Sequence, residues 1–244
     1  MSESFVRCVW GDSHGFIGSK LFDRNYKSLK AEYSISKRNK YLPDFVVYVL
    51  GEDNYKSLKE FGFRCVLVDK NPNIFDPVKR IWKHKIYLLQ YALRDFDKIV
   101  YLDWDTQPLK PLPSTFWEDL SKKDAFQAPL FKYSGTKMPH REKKTRGDIS
   151  QYVLPSGAFL YMSEKNIPSE ILKFEECEYL KNKWLDEVYY GAWTDARYGG
   201  WQNLRFYREH FEPECCNIRR GVFQKEETKI FGHPRLKHLT GVKS

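Results

Sequence analysis

The sequence predicts an α/β fold, a single domain whose mostly parallel central sheet is flanked by helices. Three observations carry that prediction. Short apolar runs rich in Val, Ile, Phe and Tyr recur along the 244 residues, and they lack the alternation of a half-exposed strand, as strands covered on both faces do. Segments with helical spacing lie between them, and strand, helix, strand in alternation is the pattern of a parallel sheet clothed by helices. The 17 Phe, 16 Tyr and 7 Trp exclude a disordered chain, which is poor in such residues, and the length suits one core.

In order along the chain, the predicted strands are 5–10, 45–50, 64–68, 98–102 and 157–162, all read as buried and parallel. The clearest helix spans 78–96, where Trp82, Ile86, Leu89 and Leu93 recur at i, i+4, i+7 and i+11 and share one face. Residues 132–148 are basic, carry Gly and Pro and have no period, which predicts a loop. No repeat, low-complexity tract or linker divides the chain, so 1–244 is one domain.

Charge and cysteine content narrow the partners. With 41 Lys and Arg against 32 Asp and Glu, the net charge is +9, which suits a nucleotide, a nucleic acid or an acidic surface. Five irregularly spaced cysteines, two of them the adjacent Cys215 and Cys216, indicate neither a disulfide framework nor a zinc knuckle, and reduced thiols are expected. The start MSESFVRCVW has no basic stretch followed by an apolar segment, and no apolar run approaches the roughly 18 to 20 residues that cross a bilayer. The expected location is the cytoplasm of the producing or host cell.

Ligands of open α/β sheets bind beyond the carboxyl ends of the strands. The residues found there are Gly11, Asp12 and Ser13, then 51–54, then Asp69 and Lys70, and then Asp103, Trp104 and Asp105. In the last group an unbroken apolar strand delivers two carboxylates to the ligand edge, where they repel each other and call for a counter-charge. Such a pair suits a hard divalent cation, which in turn neutralises a diphosphate; the alternative is a surface turn with two solvated acids. An Asp-x-Asp triplet alone is expected about once by chance in a chain like this. Asp95 and Asp97 form a second one, placed where a helix meets a strand and given no function on positional grounds.

From Lys85 to Leu112, a lysine opening a helix, then DKIVYLDWDT and a Pro-Leu pair, resembles the metal-binding segment of GT-A (Rossmann-like) nucleotide-sugar glycosyltransferases. It is most similar to glycosyltransferase family 8, the glycogenin and bacterial galactosyltransferase type. Three further pieces follow in that family's order. The stretch 152–161, with Ser156 and Gly157, resembles the strand lining the donor-sugar pocket. The stretch 198–203, YGGWQN, is similar to a Gly-Gly-Asp-Gln segment, with Trp201 in place of the usual Asp and Gln202 beside the reaction centre; by composition it is equally a Gly-rich turn opening a helix. Residues 238–243, HLTGVK, resemble a His-x-x-Gly-x-x-Lys element one spacer short.

The resemblance implies a nucleotide-binding half at 1–105 and an acceptor and donor-sugar half at 106–244. It implies a metal held by Asp103, Asp105 and His238, with Mn2+ favoured over Mg2+ because an imidazole is among the ligands. Lys85 and Lys243 would add positive charge at the diphosphate. Val9, Trp10 and Asp12 would hold the nucleoside, Trp10 by stacking on the base, unless it is simply core. Sugar would pass from a nucleotide-diphosphate donor, a UDP-sugar first, to a hydroxyl, with retention. Gln202 ranks first at the anomeric carbon, and Asp186 and Asp195 are the carboxylates available as nucleophiles, in a stretch whose aromatics suit a sugar-binding wall. The acceptor classes are a glycan, a lipid-linked sugar or a protein. Nucleic acid, through a hydroxymethylated DNA base, is the alternative, and a non-catalytic basic nucleic-acid-binding protein is a further one. The six Lys and Arg of the 132–148 loop suit an acidic acceptor, or are merely solvated.

Overall fold

The structure is a computed structural model and describes residues 2–10, 36–69, 81–104, 106–108, 111–122, 124–128, 130–132, 153–155, 157, 159–173, 186–198 and 231–232. In chain order the elements are β1 (Glu3–Val9), β2 (Phe45–Val49), α1 (Glu52–Glu60), β3 (Cys65–Leu67), α2 (Ile81–Asp95), β4 (Lys98–Leu102), β5 (Gln107–Pro108) and α3 (Phe116–Ser121). They continue with β6 (Phe126–Gln127), β7 (Leu130–Lys132), β8 (Val153–Pro155), β9 (Phe159–Met162), α4 (Ile167–Lys173), α5 (Asp186–Tyr198) and β10 (Phe231–Gly232).

The predicted apolar runs form the α/β sheet, in the order β3-β2-β1-β4-β9-β6. From β3 to β4 the neighbours are parallel. The fifth run departs from expectation: its strand starts at Phe159 and lies antiparallel to β4 and β6. A strand is all-apolar because both its faces are covered, whichever way it runs, so composition carried no information on direction. The reversal matters for the site. Leu102 at the end of β4 pairs with Phe159 at the start of β9, which brings Gly157, in the turn before β9, to the edge where β4 ends.

Side chains alternate between the two faces of the sheet. On one face Val6, Cys8, Val46, Tyr48, Ile99, Tyr101, Leu160 and Met162 pack with α2, α4 and α5. On the other, Phe5, Val100, Leu102, Phe159 and Tyr161 meet Phe116 and Leu120 of α3, and Val9, Val47 and Val49 meet Leu58 of α1. The face reached by Tyr101 is therefore the face reached by Asp103.

The helix over 78–96 is described from Ile81. Ile86, Leu89 and Leu93 of its predicted face are buried, and burial continues on every side from Lys83 to Leu89. Its outer side is covered by α4. Lys132, placed in a loop by composition, ends β7 and pairs with Val153; the rest of the 132–148 loop lies outside the described residues. Among the described residues, no helix is long and apolar enough to cross a membrane.

Candidate active site

Three chain segments meet at the carboxyl edge of β4, and one ammonium group ties them together. Lys85, on α2, has an 8% exposed side chain. Its Nζ lies 2.6 Å from Asp186 Oδ2 and 3.5 Å from Asp103 Oδ1, and it donates to the Gly157 carbonyl at 3.1 Å. A lysine so deeply buried requires carboxylates and carbonyls to hold its charge. Here the end of β4, the turn before β9 and the first residue of α5 supply them.

Gly157 is glycine for a steric reason. A Cβ there would lie 3.0 Å from both Asp186 Cγ and Lys85 Nζ and would overlap Asp186 Oδ2. In this structure the groups that approach its backbone are the Lys85 and Asp186 side chains.

Asp103 is one-quarter exposed. Tyr101, two residues earlier on the same face, donates its hydroxyl hydrogen bond to Asp103 Oδ1. Burial first, and then the Asp103 charge, push the Tyr101 hydroxyl well above the usual tyrosine range, so it remains a donor at neutral pH. Oδ2 of Asp103 has no hydrogen-bond partner among the described residues. A partly exposed carboxylate with one oxygen committed and the other open fits one contact to a hard divalent cation. The other two expected metal ligands, Asp105 and His238, lie outside the described residues. Among those described, no group of three or more His, Cys, Asp or Glu side chains is arranged to hold a metal. Beneath the cluster Cys8 is buried, and loss of solvation pushes its thiol far above the usual range, so it stays protonated.

The remaining predicted residues fall as follows. Val9 is buried, and its carbonyl is taken by the Leu50 amide at 2.9 Å. Trp10 is half-buried against the α2 side of the core, and its indole N–H is enclosed without a partner among the described residues. Asp195 sits nine residues after Asp186 on α5, about 14 Å further along the helix axis at 1.5 Å per residue. The aromatic wall expected on this stretch is core: Tyr189, Tyr190 and Trp193 are buried, at a spacing that aims them inward. Asp12, Ser156, Gln202 and Lys243 lie outside the described residues.

Sequence reasoning missed Tyr101 and Arg7. Tyr101 was readable from alternation, since residues i and i+2 of a strand share a face. Arg7 was readable as the one charge within the apolar run at 5–10.

No protein-family profile and no curated protein matches the chain. Among solved structures it is similar to mouse xyloside xylosyltransferase 1 in its apo form, at 11% identity, over 97% of this chain and 99% of that one, with a TM-score of 0.49. It is similar to the galactosyltransferase LgtC in complex with donor and acceptor sugar analogues, at 16% identity, over 72% and 64%, with a TM-score of 0.39. It is also similar to the inositol-1-phosphate CTP transferase from T. maritima, at 15% identity, over 82% and 83%, with a TM-score of 0.43. The α/β assignment rests on the chain's own sheet.

Proposed function

We propose that this chain is a metal-dependent GT-A glycosyltransferase that moves a sugar from a nucleotide diphosphate to a hydroxyl acceptor, with retention of configuration. The observation that carries the proposal is the Lys85 junction. A cation is locked at the carboxyl edge of a parallel sheet between a strand-end acid, one oxygen of which is open among the described residues, and a second acid opening a helix.

Transfer breaks the bond from the anomeric carbon to a diphosphate oxygen and forms one from that carbon to the acceptor oxygen, whose proton leaves with the diphosphate. Negative charge grows on the leaving group, and stabilising it is the main electrostatic task. Asp103, with Asp105 and His238, would hold a manganese ion, which supplies Lewis-acid charge beside the diphosphate. Lys85 adds fixed positive charge close to the same edge. It also keeps the Asp186 carboxylate turned toward Gly157, where it would face the donor sugar and stabilise positive charge at the anomeric carbon. Gln202 keeps its candidacy at that carbon. Trp10, at the end of β1, would offer a ring face to the nucleoside, with UDP the first candidate. A glycan, lipid-linked sugar or protein is the proposed acceptor, with a hydroxymethylated DNA base as the alternative for a chain of charge +9.

Thermal melting of the full chain against a panel of nucleoside diphosphates and nucleotide sugars, each with and without Mn2+, tests this reading. One nucleotide should raise the midpoint only when Mn2+ is present, with slow hydrolysis of the matching sugar nucleotide. Absence of any nucleotide-dependent shift overturns it.

A further inference from the structure

Arg7 lies in the middle of an apolar strand and is 1% exposed. Desolvating a guanidinium costs several kcal/mol unless its donors are met, and a strand that only needed filling would carry Val or Leu there. The donors are met largely by one turn. Nη1 donates to the Trp104 carbonyl at 3.2 Å and to Ser36 Oγ at 3.1 Å, and Nη2 donates to the Thr106 carbonyl at 2.9 Å. The guanidinium also lies over two rings, 4.8 Å from the centroid of Trp104 and 5.1 Å from that of Phe45.

These bonds reach the acidic turn from behind. Asp103 leaves the sheet on the α2 face. Arg7 and the Trp104 ring lie on the opposite face, where Trp104 packs with Val9, Val47 and Phe63. Two more bonds tie the same turn: the Thr106 amide donates to the Asp103 carbonyl at 2.9 Å, and the Trp104 indole donates to the Cys8 carbonyl at 3.0 Å. The carbonyls gripped by Arg7 belong to the residues on either side of Asp105 in sequence. A rigid fork holding two peptide planes, with a residue between them, restricts the whole turn; a lysine, with a point charge on a flexible stem, cannot do so.

We propose that Arg7 is the positioning residue of the acidic turn: its buried guanidinium holds the Trp104 and Thr106 peptides so that the turn opened by Asp103 keeps one shape when a divalent cation binds. The cation half of this statement rests on the function proposed above. The grip on the turn does not. Groups that orient metal ligands from behind typically change affinity when removed, although they never touch the ion.

The test uses the full chain with Arg7→Met, Arg7→Lys and Ser36→Ala. It reads the melting midpoint, hydrogen exchange of a peptide spanning 101–108, and Mn2+ affinity from the paramagnetic resonance signal of the free ion. In folded Arg7→Met, exchange in the turn should rise at least about ten-fold, since hydrogen bonds to a charged donor are lost, and Mn2+ should bind about 10- to 100-fold more weakly. Arg7→Lys should fall between this variant and the wild type. Ser36→Ala, which removes the partner outside the turn, should change neither reading. Unchanged exchange and unchanged affinity in folded Arg7→Met overturn the proposal, as does a Ser36→Ala effect equal to that of Arg7→Met. If Arg7→Met does not fold, Arg7→Lys decides on the same two readings. A wild-type chain that binds no Mn2+ sinks the cation reading of the site, and the exchange measurement then decides on the grip of Arg7 alone.

Discussion

One Asp-x-Asp triplet lies at each end of β4, and the molecule uses them in opposite ways. Before the strand, Asp95 Oδ2 accepts from the buried Tyr48 hydroxyl at 2.6 Å, and Asp97 Oδ2 accepts from the Ser2 amide at 2.9 Å. These acids fasten a helix end and the N-terminal strand to the sheet. After the strand, Asp103 gives one oxygen to Tyr101 and Lys85 and keeps the other open among the described residues, while Lys85 gathers Asp186 and Gly157 around it. The two triplets are spelled alike and differ in which end of a parallel strand they occupy. At the amino end, arriving connections need acceptors; at the carboxyl end, diverging loops leave space for a ligand.

The largest expected effect breaks that symmetry directly. Asp103→Asn preserves shape and an acceptor for Tyr101 but removes the charge a cation needs. Donor turnover, measured as release of nucleoside diphosphate, should fall at least about a hundred-fold, the usual scale for losing one preorganised electrostatic partner. Asp97→Asn should leave turnover at the wild-type level. Equal losses from the two variants would show that the position on the strand does not separate them.

The parts legible in sequence are those governed by local period. The run KIVYL was bounded correctly because Ile99 to Leu102 form an unbroken apolar stretch between two charged residues, Lys98 and Asp103. Separating the two triplets by position needed only the strand's direction within a parallel sheet. The Lys85 junction was not legible: Lys85 and Asp186 stand 101 residues apart, and no periodicity relates a helix interior to the first residue of a distant helix. Nor was the reversal of β9, on which the placement of Gly157 depends. Arg7 is an intermediate case. Its place in an apolar run signalled its burial, but the carbonyls it grips belong to a turn 97 and 99 residues further on.

A smaller effect is expected at Gly157, which sharpens the contrast by testing whether the second triplet belongs to a built cluster. An alanine methyl there would displace the Lys85 and Asp186 pair, both members of which are largely buried. Overpacking of this kind costs about 1–3 kcal/mol, and urea denaturation of Gly157→Ala should show it. In an Asp186→Ala background the methyl has room, so the cost should shrink by more than about 0.5 kcal/mol, the usual limit of additivity between independent sites. Full additivity would mean that the two positions do not touch.

The smallest effect concerns Asp97 and is confined to acid. The Ser2 amide, as backbone donor, holds its carboxyl below the usual range. The folded state thus binds fewer protons than the unfolded chain just below the ordinary carboxyl value of about 3.9, and stability rises with pH through that window. The contribution is complete above the unfolded value and disappears as pH falls through the lower folded one. Asp97→Asn cannot titrate and lacks this dependence. Its melting midpoint should therefore trail the wild type by a small constant amount from pH 5 to 7, and the gap should close as pH drops below about 4. A gap that stays the same down to pH 2 would mean that the Ser2 amide does not favour the ionised carboxyl, and that the first triplet is not the fastening described for it.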